Sequence, residues 1–265
     1  MPEKLHLGCM GFSYKEWVGK FYAPGTAPGR MLAQYATSFG AVELDTTFYA
    51  PPRGSAVAKW ADETPDDFSF AAKVWQRITH ELRFADAGDD LRLFLDALEP
   101  LGEKLGPLLL QCPPDLTIEA LPAFEAFARD LPEGYRWAVE FRHRSWLTPE
   151  VRDLLTERNI ALVGADLYYM PRFLTRTADF LYVRLLGNRK QITSIGEVVR
   201  DRSEDVEKWA GELRDALPDV DAGWVFVNNH YSGFSPHTLA QLYPALGRPA
   251  PTFPIDAPTE QPPLF

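Results

Sequence analysis

The chain has 265 residues, of which 46% are hydrophobic, enough for one large core; its 18 Gly and 23 Pro are spread along it. A net charge of −10 repels polyanions, so a nucleic-acid role would need a local basic patch. No apolar run approaches the ~18 residues of a membrane span, and the N-terminus has no secretory hydrophobic region. Cys9 and Cys112, far apart in apolar runs, read as reduced packing residues of a cytoplasmic protein.

In chain order, residues 5–12 read as a first strand, followed by a Gly/aromatic loop with Tyr14 and Trp17. A helix over 29–38 leads into a strand over 41–48. The prolines at 51 and 52 break the chain before a short helix at 55–62. Residues 68–75 alternate as a third strand, and leucines at helical spacing mark a helix over 89–100. The continuous apolar run 106–112 has the character of a strand buried on both faces. Helix 118–130 then precedes strand 136–142, and helix 149–158 precedes strand 160–166. Residues 167–179 lack helical periodicity and read as a loop before strand 180–187. Helix 203–217, strand 222–229 and helix 236–246 complete the pattern. Eight strands alternating with helices predict parallel pairing and a (β/α)8 TIM barrel as a single α/β domain over residues 1–247, with a doubly wound sheet as the other candidate. Residues 248–265 hold six prolines and predict an extended tail.

Polar residues gather at the C-terminal ends of these strands, the end where barrel active sites are built. They are Glu43, Asp45, Lys73, Gln111, Glu140, Arg142, Asp166, Arg184 and Asn228 with Asn229. Alternation allows Glu43, Lys73, Glu140, Arg142, Asp166 and Arg184 to face inward together, giving a nearly neutral polar mouth. Such a mouth is either a satisfied ion-pair lattice or a site. As a site it suits acid/base chemistry on a small phosphorylated or carboxylated substrate. Glu140 would act as acid or base, with Glu43 or Asp166 as its differently tuned partner. Arg142 and Arg184 would grip the anion, with Gln111, Asp45, Asn228 and His143 completing the binding surface. Loop aromatics, among them Tyr14, Trp17, Tyr49, Trp75, Trp146 and Tyr168, would wall the pocket. Lys73 would be a Schiff-base nucleophile if desolvated beside a second cation, but the nearby glutamates predict an ion pair for it instead. His80, His143 and His230 lie near strand ends and read as loop hydrogen-bonding residues, so no metal or other cofactor is predicted.

Several runs resemble one family in order: GCMGFSY at 8–14, VELDTTFY at 42–49, FSFAAK at 68–73, LLLQCPP at 108–114, VEFRH at 139–143, YVRLLG at 182–187 and VNN at 227–229. These are similar to the DUF72 (YecE-like) proteins. The resemblance implies a TIM barrel but no reaction. The family barrel has been likened to that of endonuclease IV-type phosphoesterases with a multi-metal site. This chain lacks that wealth of strand-end histidines, so no metal residue is carried over.

The final residues Gln261-Pro262-Pro263-Leu264-Phe265 resemble the short peptide by which bacterial polymerases and repair proteins hold the sliding clamp, with Gln261, Leu264 and Phe265 as anchors and Pro262 where leucine is usual. This leaves open a DNA-repair-associated phosphoesterase or DNA-binding role. Arg142, Arg144, Arg172, Arg176, Arg189, Lys190 and Arg200 would then form a basic rim. A non-catalytic scaffold is the third reading.

Overall fold

The computed structural model describes residues 4–256, so the 261–265 peptide lies outside the described residues. Nine parallel strand segments form one sheet: β1 (Lys4–Met10), β2 (Ala41–Leu44), β3 (Ser69–Lys73), β4 (Leu105–Gln111), β5 (Trp137–Glu140), β6 (Ile160–Leu162), β7 (Gly164–Leu167), β8 (Phe180–Gly187) and β9 (Ala222–Val227). Their order is β6-β5-β4-β3-β2-β1-β9-β8-β7. The two ends of that order are successive pieces of one chain segment. β6 pairs with β5, β7 pairs with β8, and Val163 joins them while donating its N–H to Val139. The eight expected strands are therefore present, with the sixth bonding to one neighbour in its first half and to the other in its second. The ring is completed through the backbone at Val163.

β6 begins before β8 is alongside, which would leave its outer edge unpaired. Thr177, in the loop ahead of β8, covers it: its hydroxyl accepts from the Leu162 N–H and donates to the Ile160 carbonyl. A buried backbone group must find some such partner. The same device appears between β1 and β2. There the Tyr35 hydroxyl, fully buried on helix α1 (Met31–Tyr35), accepts from Cys9 N–H at 2.6 Å and donates to the Ala41 carbonyl at 2.8 Å.

The strands divide the core in two. Leu5, Leu7 and Cys9 of β1, Val42 and Leu44 of β2 and Val139 of β5 face outward. They meet the apolar stripes of the helices, such as Leu91, Phe94, Leu95 and Leu98 of the helix Gly88–Leu98. Spacing of three and four residues puts those side chains on one helix face. The inward set is a separate cluster that includes Met10, Ala41, Ala71, Leu109, Ala138, Ala161, Ala165, Phe180, Tyr182, Trp224 and Phe226. Alanines on β2, β3 and β5 leave room for the large rings of β8 and β9, so the interior is packed rather than hollow. Below, Trp224 donates to Ser69 Oγ and stacks on His6.

Strand ends are shorter than hydropathy suggests. Residues 45–48 leave the sheet, and a 3-10 turn, Thr46–Phe48, carries the chain over the mouth. Likewise β9 stops at Val227, and Asn228 caps a short helix, Asn229–Ser232. Past β7, residues 168–179 form a loop, as the lack of periodicity over 167–179 predicts. The described part of the tail lies on the barrel: Phe253 packs edge-on against Phe21, and the Thr252 carbonyl accepts from Ser38 Oγ. No helix of the described residues is long and apolar enough to cross a membrane.

Tyr35→Phe should cost about 1–3 kcal/mol in a urea-unfolding measurement, because it leaves a buried donor and a buried acceptor unpaired. An unchanged midpoint would mean the two strands simply close on each other.

Candidate functional site

The mouth of the barrel is built on one guanidinium. Arg184, on β8 and 2% exposed, reaches across the interior. It grips Glu43 of β2 through two bonds, Nε to Oε2 at 3.0 Å and Nη2 to Oε1 at 2.7 Å. Its Nη1 donates to Glu140 Oε2 of β5 at 2.5 Å. The other Glu140 oxygen accepts from Arg142 Nε at 2.5 Å, and Glu43 Oε2 also accepts from the Tyr182 hydroxyl at 2.6 Å. Asp45 stands 3.8 Å from Arg184 at the edge of the group. Tyr182 precedes Arg184 by two residues and so shares its face. It was not among the expected site residues, though alternation along β8 points to it.

Charge placement follows. Burial alone would raise the Glu140 carboxyl, but Arg142 and Arg184 outweigh it and hold it down at about 2. With both oxygens occupied, Glu140 is a fixed anion at neutral pH, which argues against the acid/base role expected of it. Burial pushes Glu43 above the ordinary carboxylate range despite the opposing pull of Arg184, and the Asp45 charge adds to the rise. The two glutamates are thus tuned apart, in the sense expected of an acid/base pair. Both, however, lie beneath Arg184, at 0% and 1% exposure.

Above this lattice is a cleft of about 460 Å³ whose walls include Lys73, Gln111, Arg142, Asn228 and the loop Asn188-Arg189-Lys190. The expectation that Lys73 is ion-paired is overturned. Among the described residues its ammonium makes no ion pair and lies 3.7 Å from the centroid of the Phe48 ring. Arg184 has taken the glutamates that would have paired with it. Burial lowers the Lys73 ammonium to about 8, with Arg184 and Arg142 adding to the shift against the opposing pull of Asp45 and Glu140. Gln111, on the adjacent strand, has no side-chain hydrogen bond among the described residues, nor do the terminal amino groups of Arg142. Lys73, Gln111 and Arg142 therefore form a row of polar groups along the C-terminal ends of β3, β4 and β5. A π-helical turn, Arg77–Glu81, brings His80 into the same wall, its Nδ1 against Thr79 Oγ1. Partial burial, Lys73 and Arg142 together lower His80 to about 4, so its ring is neutral at pH 7.

The facing loop is set by Gly187. Its φ of +70° and the 2.1 Å that a Cβ would leave to the His230 carbonyl require glycine there. The chain consequently turns sharply out of β8 and presents Arg189 and Lys190 at the cleft.

Other expected site residues lie elsewhere. Asp166 does not face the mouth. The inward residues of β6, the Val163 joint and β7 are Ala161, Val163, Ala165 and Leu167, so Asp166 turns to the helix layer and accepts from Trp209 Nε1 and the Tyr231 hydroxyl. This strand is apolar on both faces, and its hydropathy carries no sign of which residue points inward. Trp146 is core, stacked on Phe141 at 4.2 Å and donating to the Leu116 carbonyl. Tyr14 donates to the Met10 carbonyl and packs on Trp17, beside the cleft rather than in its wall. His143 caps a 3-10 turn by accepting from Ser145 N–H. Asn228 reaches the cleft while its Oδ1 accepts from His230 N–H. Of the loop aromatics, Tyr49 and Tyr168 line the cleft.

With Asp166 absent, the mouth is not neutral. The cleft wall holds Lys73, Arg142, Arg184, Arg189 and Lys190 against Asp45, and the charge stays positive when buried Glu43 and Glu140 are included. The seven bases considered as a DNA rim do not make one stripe. Arg172 pairs with Glu212 over Trp209, and Arg176 donates to the Asp219 carbonyl at the opposite, N-terminal end of the barrel. His80, His143 and His230 occupy separate loops, and no group of three His, Cys, Asp or Glu suited to a metal converges among the described residues.

The same scaffold recurs in solved structures. A DUF72 family protein from Thermotoga maritima superposes with a TM-score of 0.75 at 25% identity, over 93% of this chain and all of that one. One from Enterococcus faecalis gives 0.72 at 22% identity, over 92% and 95% of the two chains, a likeness of fold. The chain is 32% identical to the UPF0759 protein YecE of Escherichia coli K12 over 162 residues, 61% of this chain and 57% of YecE. It is 31% identical to the UPF0759 protein YunF of Bacillus subtilis over 153 residues, 55% of this chain and 53% of YunF. The chain thus spans somewhat over half the length of the curated relatives it matches. Residues 6–262 match the family described as Protein of unknown function DUF72, and the chain belongs to that family.

Proposed function

We propose that the mouth binds a small phosphorylated or carboxylated substrate and performs acid/base chemistry on it, with Lys73 as the group that gives and takes the proton. The observation carrying this reading is a row of open donors, the Lys73 ammonium, the Gln111 amide and the terminal amino groups of Arg142, above a lattice whose glutamates are already spoken for. Buried polar groups are normally hydrogen-bonded, and those left open in a cleft mark where a ligand supplies the partner. A local positive field in a chain of net charge −10 draws a small anion to this spot and not to the surface at large.

Roles follow from position. Arg142 keeps its Nε on Glu140 and turns its terminal amino groups to the anion, where a planar fork suits phosphate or carboxylate. Gln111 orients a second oxygen. Glu140 and Glu43 act as positioning residues through Arg184. An amine near 8 stands close to working pH, where a proton carrier is most effective. The free, buried Cys9 and Cys112 suit a reducing compartment such as the cytoplasm.

In a thermal-shift panel of inorganic phosphate, sugar phosphates and small carboxylates, a bound anion at a hundredfold its Kd should stabilise the protein by about 2.7 kcal/mol. Gln111→Leu, which touches none of the lattice bonds, should keep its own stability and lose most of that shift. A flat panel in the wild type would refute the reading. By contrast, Glu140→Ala should cost about 3–5 kcal/mol of folding stability, read by urea unfolding, because it strands a buried guanidinium. A Glu140→Ala protein as stable as wild type would mean the lattice is not holding the mouth.

A further inference from the structure

We propose that Lys73 is a covalent nucleophile that forms an imine with a small aldehyde or ketone carrying a phosphate or carboxylate group. The proposal rests on the anion site read above and gives Lys73 a covalent role in place of the proton-carrying one. Three features of the mouth carry it. First, the Lys73 ammonium has no carboxylate partner among the described residues, and its neighbours of like charge, Arg142 and Arg184, are themselves anchored on Glu140 and Glu43. An amine held beside fixed cations and away from water favours its neutral, nucleophilic form. Second, the amine lies on the Phe48 ring inside an open cleft, so a carbonyl carbon can approach it from the solvent side. Third, anion-holding groups line the same cleft, Gln111 on the adjoining strand β4, Arg142 just past β5, and Arg189 and Lys190 on the facing loop. A substrate whose anionic end is gripped there can lay its carbonyl over Lys73.

The step balances without a further reagent. The neutral Lys73 nitrogen attacks the carbonyl carbon, the C=O π pair moves to oxygen, and the proton released from nitrogen passes to that oxygen to give a carbinolamine. Loss of the hydroxyl as water, with a second proton leaving nitrogen, gives the C=N bond. Asp45 and the neutral ring of His80, both in the cleft wall, are the groups available to relay these protons. No oxidation or reduction occurs. The imine then draws electrons from the adjacent carbon, which assists proton removal or carbon–carbon cleavage there.

The test uses pyridoxal 5′-phosphate as a phosphorylated aldehyde probe at low concentration, followed by borohydride reduction and peptide mass mapping of the intact protein. Lys73 should carry roughly tenfold or more the label of any other lysine, as expected for an amine depressed well below ordinary lysines. Inorganic phosphate should suppress that label, and in Lys73→Met and Lys73→Arg it should fall to the level of the other lysines. Label spread evenly over surface lysines, while inorganic phosphate still raises the melting temperature of the wild type, would overturn the imine and leave the anion site standing. Selective label on Lys73 that phosphate does not suppress would uphold the nucleophile and overturn the anion site beneath it.

Discussion

Everything at the mouth depends on Arg184 sitting between Glu43 and Glu140. A guanidinium buried to 2% exposure is tolerable only if its donors are taken, and here Nε, Nη1 and Nη2 all reach a glutamate oxygen. Because the two carboxylates come from β2 and β5 and the guanidinium from β8, three strands spaced around the ring with one or two strands between each pair, the ion pairs tie the barrel across its width. They also decide what the remaining residues can do. The acids are used below, so the bases above are left facing the cleft, and Lys73 rests against a ring instead of a carboxylate.

The packing beneath makes this geometry possible. Alanines at positions 41, 71 and 138 on β2, β3 and β5 clear space in the layer below, and Tyr182 and Phe226 fill it from the other side. Tyr182 then has its hydroxyl at the height of Glu43 and supplies the bond that completes that carboxylate. A barrel filled by uniform medium-sized residues would have no room for an arginine to span it.

Much of this was legible in the sequence. Parallel alternation of strands and helices gave the barrel, and a period of two put Glu43, Lys73, Glu140 and Arg184 on the inward face. What was not legible has physical causes. Asp166 lies in a strand apolar on both faces, where hydropathy carries no information on which way a residue points. Trp146 follows its strand by way of a 3-10 turn, and whether such an aromatic folds onto the core or over the rim depends on a backbone path that composition does not encode. The partner of Lys73 depended on which base won the glutamates, a competition between Arg184 and Lys73 that only three-dimensional reach decides. Arginine won it because its planar fork can bind both oxygens of Glu43 at once.

The lattice consumes both glutamates and leaves the Lys73 ammonium without an ion pair in the cleft. The most direct measurement is the NMR pH titration of the Lys73 side chain, with Lys73→Arg used to assign the resonance. The expected midpoint is near 8, below the ordinary lysine value, because burial and the two arginines oppose the ammonium. A midpoint at or above 10.5 would show that a carboxylate holds the ammonium after all, and would contradict the arrangement on which the proposed chemistry rests.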